Sequence, residues 1–481
     1  YKKKLKLITF SSMKEIKFSI PNISNQDINL VSKIIKSGWL THGKYTTLFE
    51  EEIKKFTKAK FAISVSSCTA GLHISCLASG FKKGDEIIVP AQTHTATADF
   101  LFDAKNSWTF QSGTLFRFQE NVANPATGVR RLIPDYQKTD AGIYTTIKHE
   151  FSENWLFDTG FRYDFNFYGV KKFYQTSRWS VLGYDVLFPE LVIQDLGTQL
   201  LTNPELSFHN FAMSLGAKRT LSEENSLLLN YTMATRPPNI AELFSDGLHH
   251  SAARIELGSL TLNSEKSNRF SLSFLKENSS SKWQIDTYIN TIQDYIFIAP
   301  NGTEQTIRGA FPKWEYRQTD ALLVGFDINI QKEFSENWGY SLNTSYIYAQ
   351  DTENKMPIID MPPFQMKNSI SYNNNDWHGF SSTLISEFIG RQNRFPDFNF
   401  NQFIAETNTT VLVDISTPPN AYHLFHINNT MNFDLGKHSK IQVSLNINNL
   451  LNTSYRNYLN RLRFFADDLG RNFQLQIKIN Y

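Results

Sequence analysis

The last nine positions, Phe473-Gln474-Leu475-Gln476-Ile477-Lys478-Ile479-Asn480-Tyr481, alternate strictly between apolar and polar residues and close on an aromatic. Period-two alternation puts one face of a β-strand in an apolar medium and the other in a wet one. The pattern recurs upstream: Phe157, Thr159, Phe161, Tyr163 and Phe165 alternate with Asp158, Gly160, Arg162 and Asp164. It returns at Phe211 to Leu215, Trp283 to Ile289, Leu322 to Ile330 and Ile441 to Ile447. Between these strands short polar turns (Ser152-Glu153-Asn154, Ser222 to Asn225, Asn278 to Ser281, Ser335-Glu336-Asn337, Asn373 to Asp376, Gly436 to Ser439) take turns with long irregular stretches. The long stretches are Gly169 to Ser207, Arg236 to Ser267, Pro300 to Lys313, Asp351 to Gln365, Arg391 to Asn420 and Leu450 to Gly470. A soluble sandwich or propeller has no reason to keep its long loops on one side, whereas a transmembrane barrel does. The pattern predicts a mainly β chain: a partial transmembrane antiparallel β-barrel of about 14 strands with a small N-terminal α/β segment. Phe473, Leu475, Ile477, Ile479 and Tyr481 would face lipid, with Tyr481 in the interfacial aromatic belt.

The opening hundred residues follow a different grammar. Ile28, Val31, Ile34 and Ile35 recur at helical spacing, and a second helix carries Phe49, Ile53 and Phe56. Glu50-Glu51-Glu52 lie early in it and Lys54, Lys55 and Lys58 late, which suits the helix dipole. A strand expected over Phe61 to Val65 runs into Ser66-Ser67-Cys68-Thr69-Ala70-Gly71 and then a helix from Leu72. Small residues between a strand and a helix N-terminus can cradle a phosphate, and they also make ordinary βα turns.

Composition sharpens the division. Of 481 residues 41% are hydrophobic and 20% charged, with no apolar run near the ~20 residues that a spanning helix needs. Aromatics reach 14%, which fits a barrel with a polar lumen and an aromatic-rich exterior. Both cysteines, Cys68 and Cys76, fall in the opening segment, so no disulfide framework spans the rest. Net charge is +2 and no basic cluster interleaves with stacking aromatics, so a nucleic-acid partner is not expected. Tyr1 to Ser12 begins basic, but its apolar run is too short for a signal-peptide core.

Two family resemblances follow from the motifs. Ser37-Gly38-Trp39-Leu40-Thr41-His42-Gly43, Ser67-Cys68-Thr69-Ala70-Gly71-Leu72-His73 and Gly84-Asp85-Glu86-Ile87-Ile88-Val89-Pro90 occur in order, followed by Thr93-His94-Thr95-Ala96-Thr97. Together they resemble the N-terminal segment of the DegT/DnrJ/EryC1/StrS pyridoxal-phosphate sugar aminotransferases, over about residues 13–98. The resemblance implies cofactor-phosphate contacts from Cys68, Thr69 and Ala70 and ring stacking by His94. It stops before the family's pyridine-binding Asp and Schiff-base Lys, so the fragment is expected to be inactive and pyridoxal phosphate non-functional.

Thr235-Arg236-Pro237-Pro238-Asn239-Ile240-Ala241-Glu242-Leu243-Phe244, Ser245 to His250, Leu262-Asn263-Ser264-Glu265-Lys266-Ser267 and Asn448-Asn449-Leu450-Leu451-Asn452-Thr453-Ser454-Tyr455 resemble TonB-dependent outer-membrane receptors. That likeness covers about residues 106–481 and implies uptake of a siderophore or other nutrient. It also implies three partners: outer-membrane lipid, the TonB system and the barrel assembly machinery. Such receptors carry a plug and a TonB box, which are not recognised in this sequence, nor is a signal peptide. The expectation is therefore a chimera whose barrel part, as it stands, is non-functional, in the outer membrane of a Gram-negative bacterium.

The expected domains are an unassigned extension over 1–12, the aminotransferase-like segment over 13–98, a junction over 99–105 and the barrel over 106–481. His249 and His250 are the ligand-loop candidates. No metal site is expected, because adjacent histidines without a third ligand are usually solvated. His423 and His426, three apart on a strand, would face opposite sides. Asp467, Asp468 and Arg471 read as rim charges.

Overall fold

The structure, a computed structural model, describes residues 31–32, 44–64, 96–104, 107–122, 132–249, 252–306, 309–404, 407–434 and 440–480. The chain divides into two compact units, Tyr1–Val89 and Pro90–Tyr481.

In the first unit the expected second helix is present as α1 (Lys44–Thr57). Its charges pair one turn apart, Lys54 with Glu51 and Lys55 with Glu52, each at 2.7 Å. Lys58 ends it with a positive φ of 57°, and Ser64 donates from N and Oγ to Glu50 Oε1 at 2.8 Å. Phe49, Phe56, Phe61 and Ile63 are exposed. Residues 61–64, expected to open a strand, lie outside regular secondary structure: β propensity needs a ladder partner before it makes a strand. The turn Ser66 to Gly71 and His94 lie outside the described residues.

The second unit is built on one long up-and-down antiparallel ladder. Its strands, labelled β1 to β15 in order, are Ala96–Ala104, Trp108–Asn121, Asp135–Ser152, Trp155–Gln175, Glu205–Thr220, Asn225–Arg236, Glu265–Asn278, Ser281–Thr306, Gly309–Glu333, Trp338–Asp351, Gln365–Asn374, Phe380–Ile389, Tyr422–Asp434, Lys440–Asn448 and Asn472–Asn480. The mainly β, antiparallel architecture is the one that the alternation predicts. Among the described residues the ladder holds fifteen long strands, in keeping with the expected number of about 14, and Ala96–Ala104 pairs along its whole length with Trp108–Phe116. Ala96, Ala98, Phe100, Phe102 and Ala104 alternate with Thr97, Asp99 and Asp103, only Leu101 breaking the pattern, but the stretch straddles the expected end of the aminotransferase-like segment at residue 98.

That first strand also sets the edges. The strand β2 is paired on both sides, with β1 and β3, and so presents no free edge. Among the described residues β15 pairs with β14 alone, and no ladder joins β15 to β1 or β2.

Along β4 the face alternation is plain. Phe157 and Phe161 are exposed on one side, while Asn166, Tyr168, Val170, Lys172 and Tyr174 are buried on the other. The inner face thus turns apolar toward the end of the strand, and the long connections fold over it. Residues 176–204, expected to be irregular, form two short helices, α2 (Thr176–Val181) and α3 (Tyr184–Leu187), and a small hairpin. Trp179 and Tyr184 pack edge-on with Tyr174, and Ile240, Leu243, Phe244, Leu260 and Leu262 complete this core. The stretch Pro300 to Lys313 is likewise not a loop. β8 and β9 keep pairing out to Thr306 and Gly309, with register shifts at Ile292/Tyr295 and Pro300/Thr303 that absorb Pro300.

The short turns fall at one end of the ladder and gather large exposed aromatics: Trp108, Phe151, Phe334, Trp338 and Trp377. The repeated Phe-Ser-Glu-Asn-Trp segments are two of these turns, after β3 and after β9. In the second, Phe334 N donates to Trp338 O at 2.8 Å and closes the hairpin.

Candidate functional site

The ends opposite the short turns carry the long connections, and these meet one another. Glu256, between β6 and β7, lies 3.8 Å from Arg461, between β14 and β15. Arg463 lies 3.6 Å from Asp360, between β10 and β11. Thr303 of β8 donates to Gln402, between β12 and β13, at 2.5 Å. In a flat sheet the β6–β7 and β14–β15 connections would stand roughly 40 Å apart, eight strand spacings, so the sheet curves and its loops fold inward.

The Arg-Pro-Pro-Asn stretch anchors this region. Asn239 caps α4 (Ile240–Phe244) in a capping box with Glu242, the two bonds being 2.9 and 2.7 Å. Arg236 ties that helix to β7: its Nε donates to Glu265 at 2.6 Å and its Nη1 to Glu242 at 3.0 Å. Glu265 also accepts from the Ile296 backbone N–H at 2.6 Å. The motif therefore fixes a connection to three strands, which prolines keep out of the ladder. Gly258 allows the chain to return past α4: a Cβ there would lie 2.5 Å from the Leu243 carbonyl carbon.

Beyond it, Asp246–His249 and Arg254–Leu257 form a small hairpin whose second strand lies parallel to Lys313–Glu315. Glu256 is buried, and its Oε1 accepts from Arg254 Nε at 2.8 Å and stands 2.9 Å from His249 Nδ1. Burial would raise this carboxyl, but the His249 and Arg254 contacts outweigh it and hold Glu256 below the usual carboxylate range. Arg254 stacks on Trp314 at 4.5 Å. His249 is thus turned toward Glu256, and His250 lies outside the described residues. Among the described residues no group of three His, Cys, Asp or Glu is placed to hold a metal ion.

Asn449 holds the last long loop at its start. In left-handed geometry at φ 50°, its side chain accepts from Thr453 N and donates to Thr453 O, each at 2.8 Å. Asp467 and Asp468, read as rim charges, organise this loop from within. Asp467 takes Ser454 and Arg456, and Asp468 takes Asn457 N and Asn460. The Ser454 bond, with Arg456, keeps Asp467 below the usual range. His423 meets Ser386 at 2.8 Å, whereas His426 turns to Glu387 at 3.4 Å.

A cavity of about 450 Å³ opens where the loops converge, between Arg254, Trp314, Asp360, Arg461, Arg463 and Phe464. None of these stood out in the sequence: Trp314 lies in β9, and the other five sit in long connections with no spacing to mark them. Phe473, Leu475, Ile477 and Ile479 are more than half exposed on β15, and Tyr481, Cys68, Thr69 and Ala70 lie outside the described residues.

The fold, an antiparallel ladder with short turns at one end and converging loops at the other, is similar to that of solved transporters and import receptors. Comparison with solved structures agrees. The copper transporter OprC matches with a TM-score of 0.59 at 12% identity, over 80% of this chain and 56% of that one. The FrpB iron transporter from Neisseria meningitidis (F3-3 variant) gives 0.51 at 13%, over 80% and 54%. The ferric-catecholate import receptor Fiu from E. coli gives 0.51 at 14%, also over 80% and 54%.

The opening segment is similar to other proteins. The DegT/DnrJ/EryC1/StrS aminotransferase family model matches residues 21–107. A UDP-4-amino-4-deoxy-L-arabinose–oxoglutarate aminotransferase of Shewanella sediminis is 41% identical over 81 residues, 17% of this chain and 21% of the relative. An uncharacterized protein of Methanocaldococcus jannaschii is 43% identical over 81 residues, with the same shares. The chain thus spans about a fifth of these relatives and about half of the solved transporters, and it joins the two likenesses in one polypeptide. The aminotransferase match runs through β1, the first strand of the ladder.

Proposed function

We propose that residues 106–481 act as the barrel part of an outer-membrane uptake receptor, with the long loops outside and the short turns on the periplasmic side. The receptor would work with the TonB system and be inserted by the barrel assembly machinery. One observation carries the reading: the exposed apolar face of the strands ends at the short turns in Trp108, Phe151, Phe334, Trp338 and Trp377. A belt of large aromatics where apolar strands meet water is the mark of a membrane interface. Phe473, Leu475, Ile477 and Ile479 would then face lipid. The similar solved proteins are a copper transporter, an iron transporter and a ferric-catecholate import receptor, and a small nutrient of that kind is the proposed cargo.

The test is topological. With Cys68 and Cys76 replaced by Ser, Leu462→Cys in a long loop and Asp376→Cys in a short turn are exposed one at a time to a membrane-impermeant maleimide on intact Gram-negative cells. Leu462→Cys should label and Asp376→Cys only after the outer membrane is opened. Equal labelling of both, or recovery in the soluble fraction, refutes the reading.

The family of the opening segment depends on pyridoxal phosphate, and we propose that the segment is not an active aminotransferase here. Cys68, Thr69, Ala70 and His94 lie outside the described residues, so the receptor reading rests on the sheet. Borohydride-fixed pyridoxyl absorbance on the purified chain would overturn the inactive assignment.

A further inference from the structure

We infer that the outer wall of β11, β12 and β13 docks a second copy of this chain, side by side in one membrane, through Asn368 and Asn429. The inference rests on the receptor reading for the medium around that wall. Register fixes the wall. Ile370, Leu384, Ile427, Ile447 and Phe473 are successive partners across the ladder, so they share the apolar face on which Ile370, Leu384 and Phe473 are exposed. Asn368 stands two residues from Ile370, Ser382 and Ser386 two from Leu384, and Asn429 two from Ile427, and side chains two apart on a strand share a face. Small polar residues thus interrupt the apolar wall on three adjacent strands.

Their depth makes them costly. Asn368 lies four residues inside Tyr372, which packs on Trp338 of the short-turn belt at 4.9 Å. Asn429 lies four residues inside Phe433, which packs on His378 at the same end at 5.1 Å. On a tilted strand four residues rise about 10 Å, well into an apolar band about 25 Å tall. Lipid tails offer neither donor nor acceptor there. Elsewhere on the wall such groups turn back on the protein: the Thr159 hydroxyl donates to Ser214 O at 3.0 Å and that of Thr287 to Leu272 O at 3.3 Å. Ser386 likewise meets His423 at 2.8 Å. Asn368 accepts from the Tyr340 hydroxyl at 2.7 Å, but its two N–H donors and the whole Asn429 amide meet no partner among the described residues.

A second copy supplies what lipid lacks. Asn368 and Asn429 sit at one depth on the strands that flank β12, and a two-fold axis along the membrane normal preserves depth. An axis passing through β12 brings Asn368 of each copy to Asn429 of the other, amide against amide, where each can donate and accept. Such an interface is isologous and closed. Between the two pairs β12 faces its own copy, and Ser382 and Ser386 are small enough for the walls to approach, as small polar residues allow spanning helices to do. The wall of β5 to β7, by contrast, projects Phe211, Leu215, Leu229, Phe270 and Leu272.

The experiment uses the full chain, with Cys68 and Cys76 replaced by Ser, in lipid vesicles over a range of protein-to-lipid ratios. Leu384→Cys, at the axis, should form a disulfide-linked pair on oxidation with copper phenanthroline, and Leu272→Cys, on the other wall, should not. Single-molecule photobleaching of labelled chains should count two steps per spot, and Asn368→Leu/Asn429→Leu should raise the density needed for pairing roughly tenfold. Leucine suits a lipid face, so that variant should insert as well as its parent. One step per spot at every density, pairing unchanged in the double variant, or equal cross-linking at Leu272 and Leu384 overturns the inference. Surface labelling tests the receptor reading separately, so a correctly oriented barrel that stays single refutes this inference alone.

Discussion

Replacing Glu256 by leucine removes an acceptor that several groups share. Arg254 Nε and Nη2 stand 2.8 and 2.7 Å from Oε1, His249 Nδ1 at 2.9 Å and Arg461 Nη1 at 3.8 Å. Arg254 and Glu256 side chains are both only 5% exposed, so water cannot take the place of the carboxylate. Removing one member of such a buried pair costs about 3–5 kcal/mol, most of it the penalty of the stranded charge. Arg254 keeps its contact with Trp314, which favours the lower figure, about 3 kcal/mol. Because the hairpin is local, the loss should show as local opening: amide exchange over residues 246–257 accelerating roughly a hundredfold. Arg254→Met/Glu256→Leu removes both charges and should recover at least half of the lost protection. If the single variant exchanges at the native rate, or no faster than the double, the ion pair does not hold the hairpin. The pH dependence has a definite sign. A carboxyl held below its ordinary value contributes fully above the unfolded carboxylate range and loses that contribution as pH falls through its lower folded value. Protection of 246–257, corrected for intrinsic exchange, should stay flat from neutral pH down to that range and fall only below it.

Gly258→Ala forces a Cβ against the Leu243–Phe244 backbone at 2.5–2.6 Å, so the loop must shift. The expected cost is about 1–3 kcal/mol, read as increased protease cleavage between β6 and β7. Asn449→Ala removes both bonds to Thr453 and leaves alanine at φ 50°, which should cost about 2–4 kcal/mol and loosen the β14–β15 loop in hydrogen exchange; unchanged exchange would show the turn to be redundant. Ile477→Lys puts a charge on the proposed lipid face, at about 2–4 kcal/mol near the bilayer centre, and should lower the yield of heat-modifiable barrel. Gln476→Lys, one residue away on the other face, should not, and equal yields would remove the lipid assignment.

Much of the ladder was legible because alternation is local. The face of β4 that carries Phe157 and Phe161 follows from the sequence alone, since neighbouring side chains on a strand must point opposite ways. Turn chemistry set the hairpin ends as well, and Ser335-Glu336-Asn337 lies where β9 turns into β10. Even the capping of α4 is written in Asn239 and Glu242, three residues apart, a signal that the motif reading passed over.

Other features depended on partners distant in the chain. Residues 176–204 pack through Trp179 and Tyr184 on the face of β4 that turns apolar at Tyr168, Val170 and Tyr174, a partner that their own sequence does not name. The cavity is the clearest case. Trp314 comes from β9 and Arg254, Asp360, Arg461 and Arg463 from three separate connections with no common spacing, and curvature of the sheet makes them neighbours. Periodicity fixes which way a side chain points relative to its own strand. Which loops meet depends on strand order and curvature, and these are properties of the whole ladder rather than of any stretch of it.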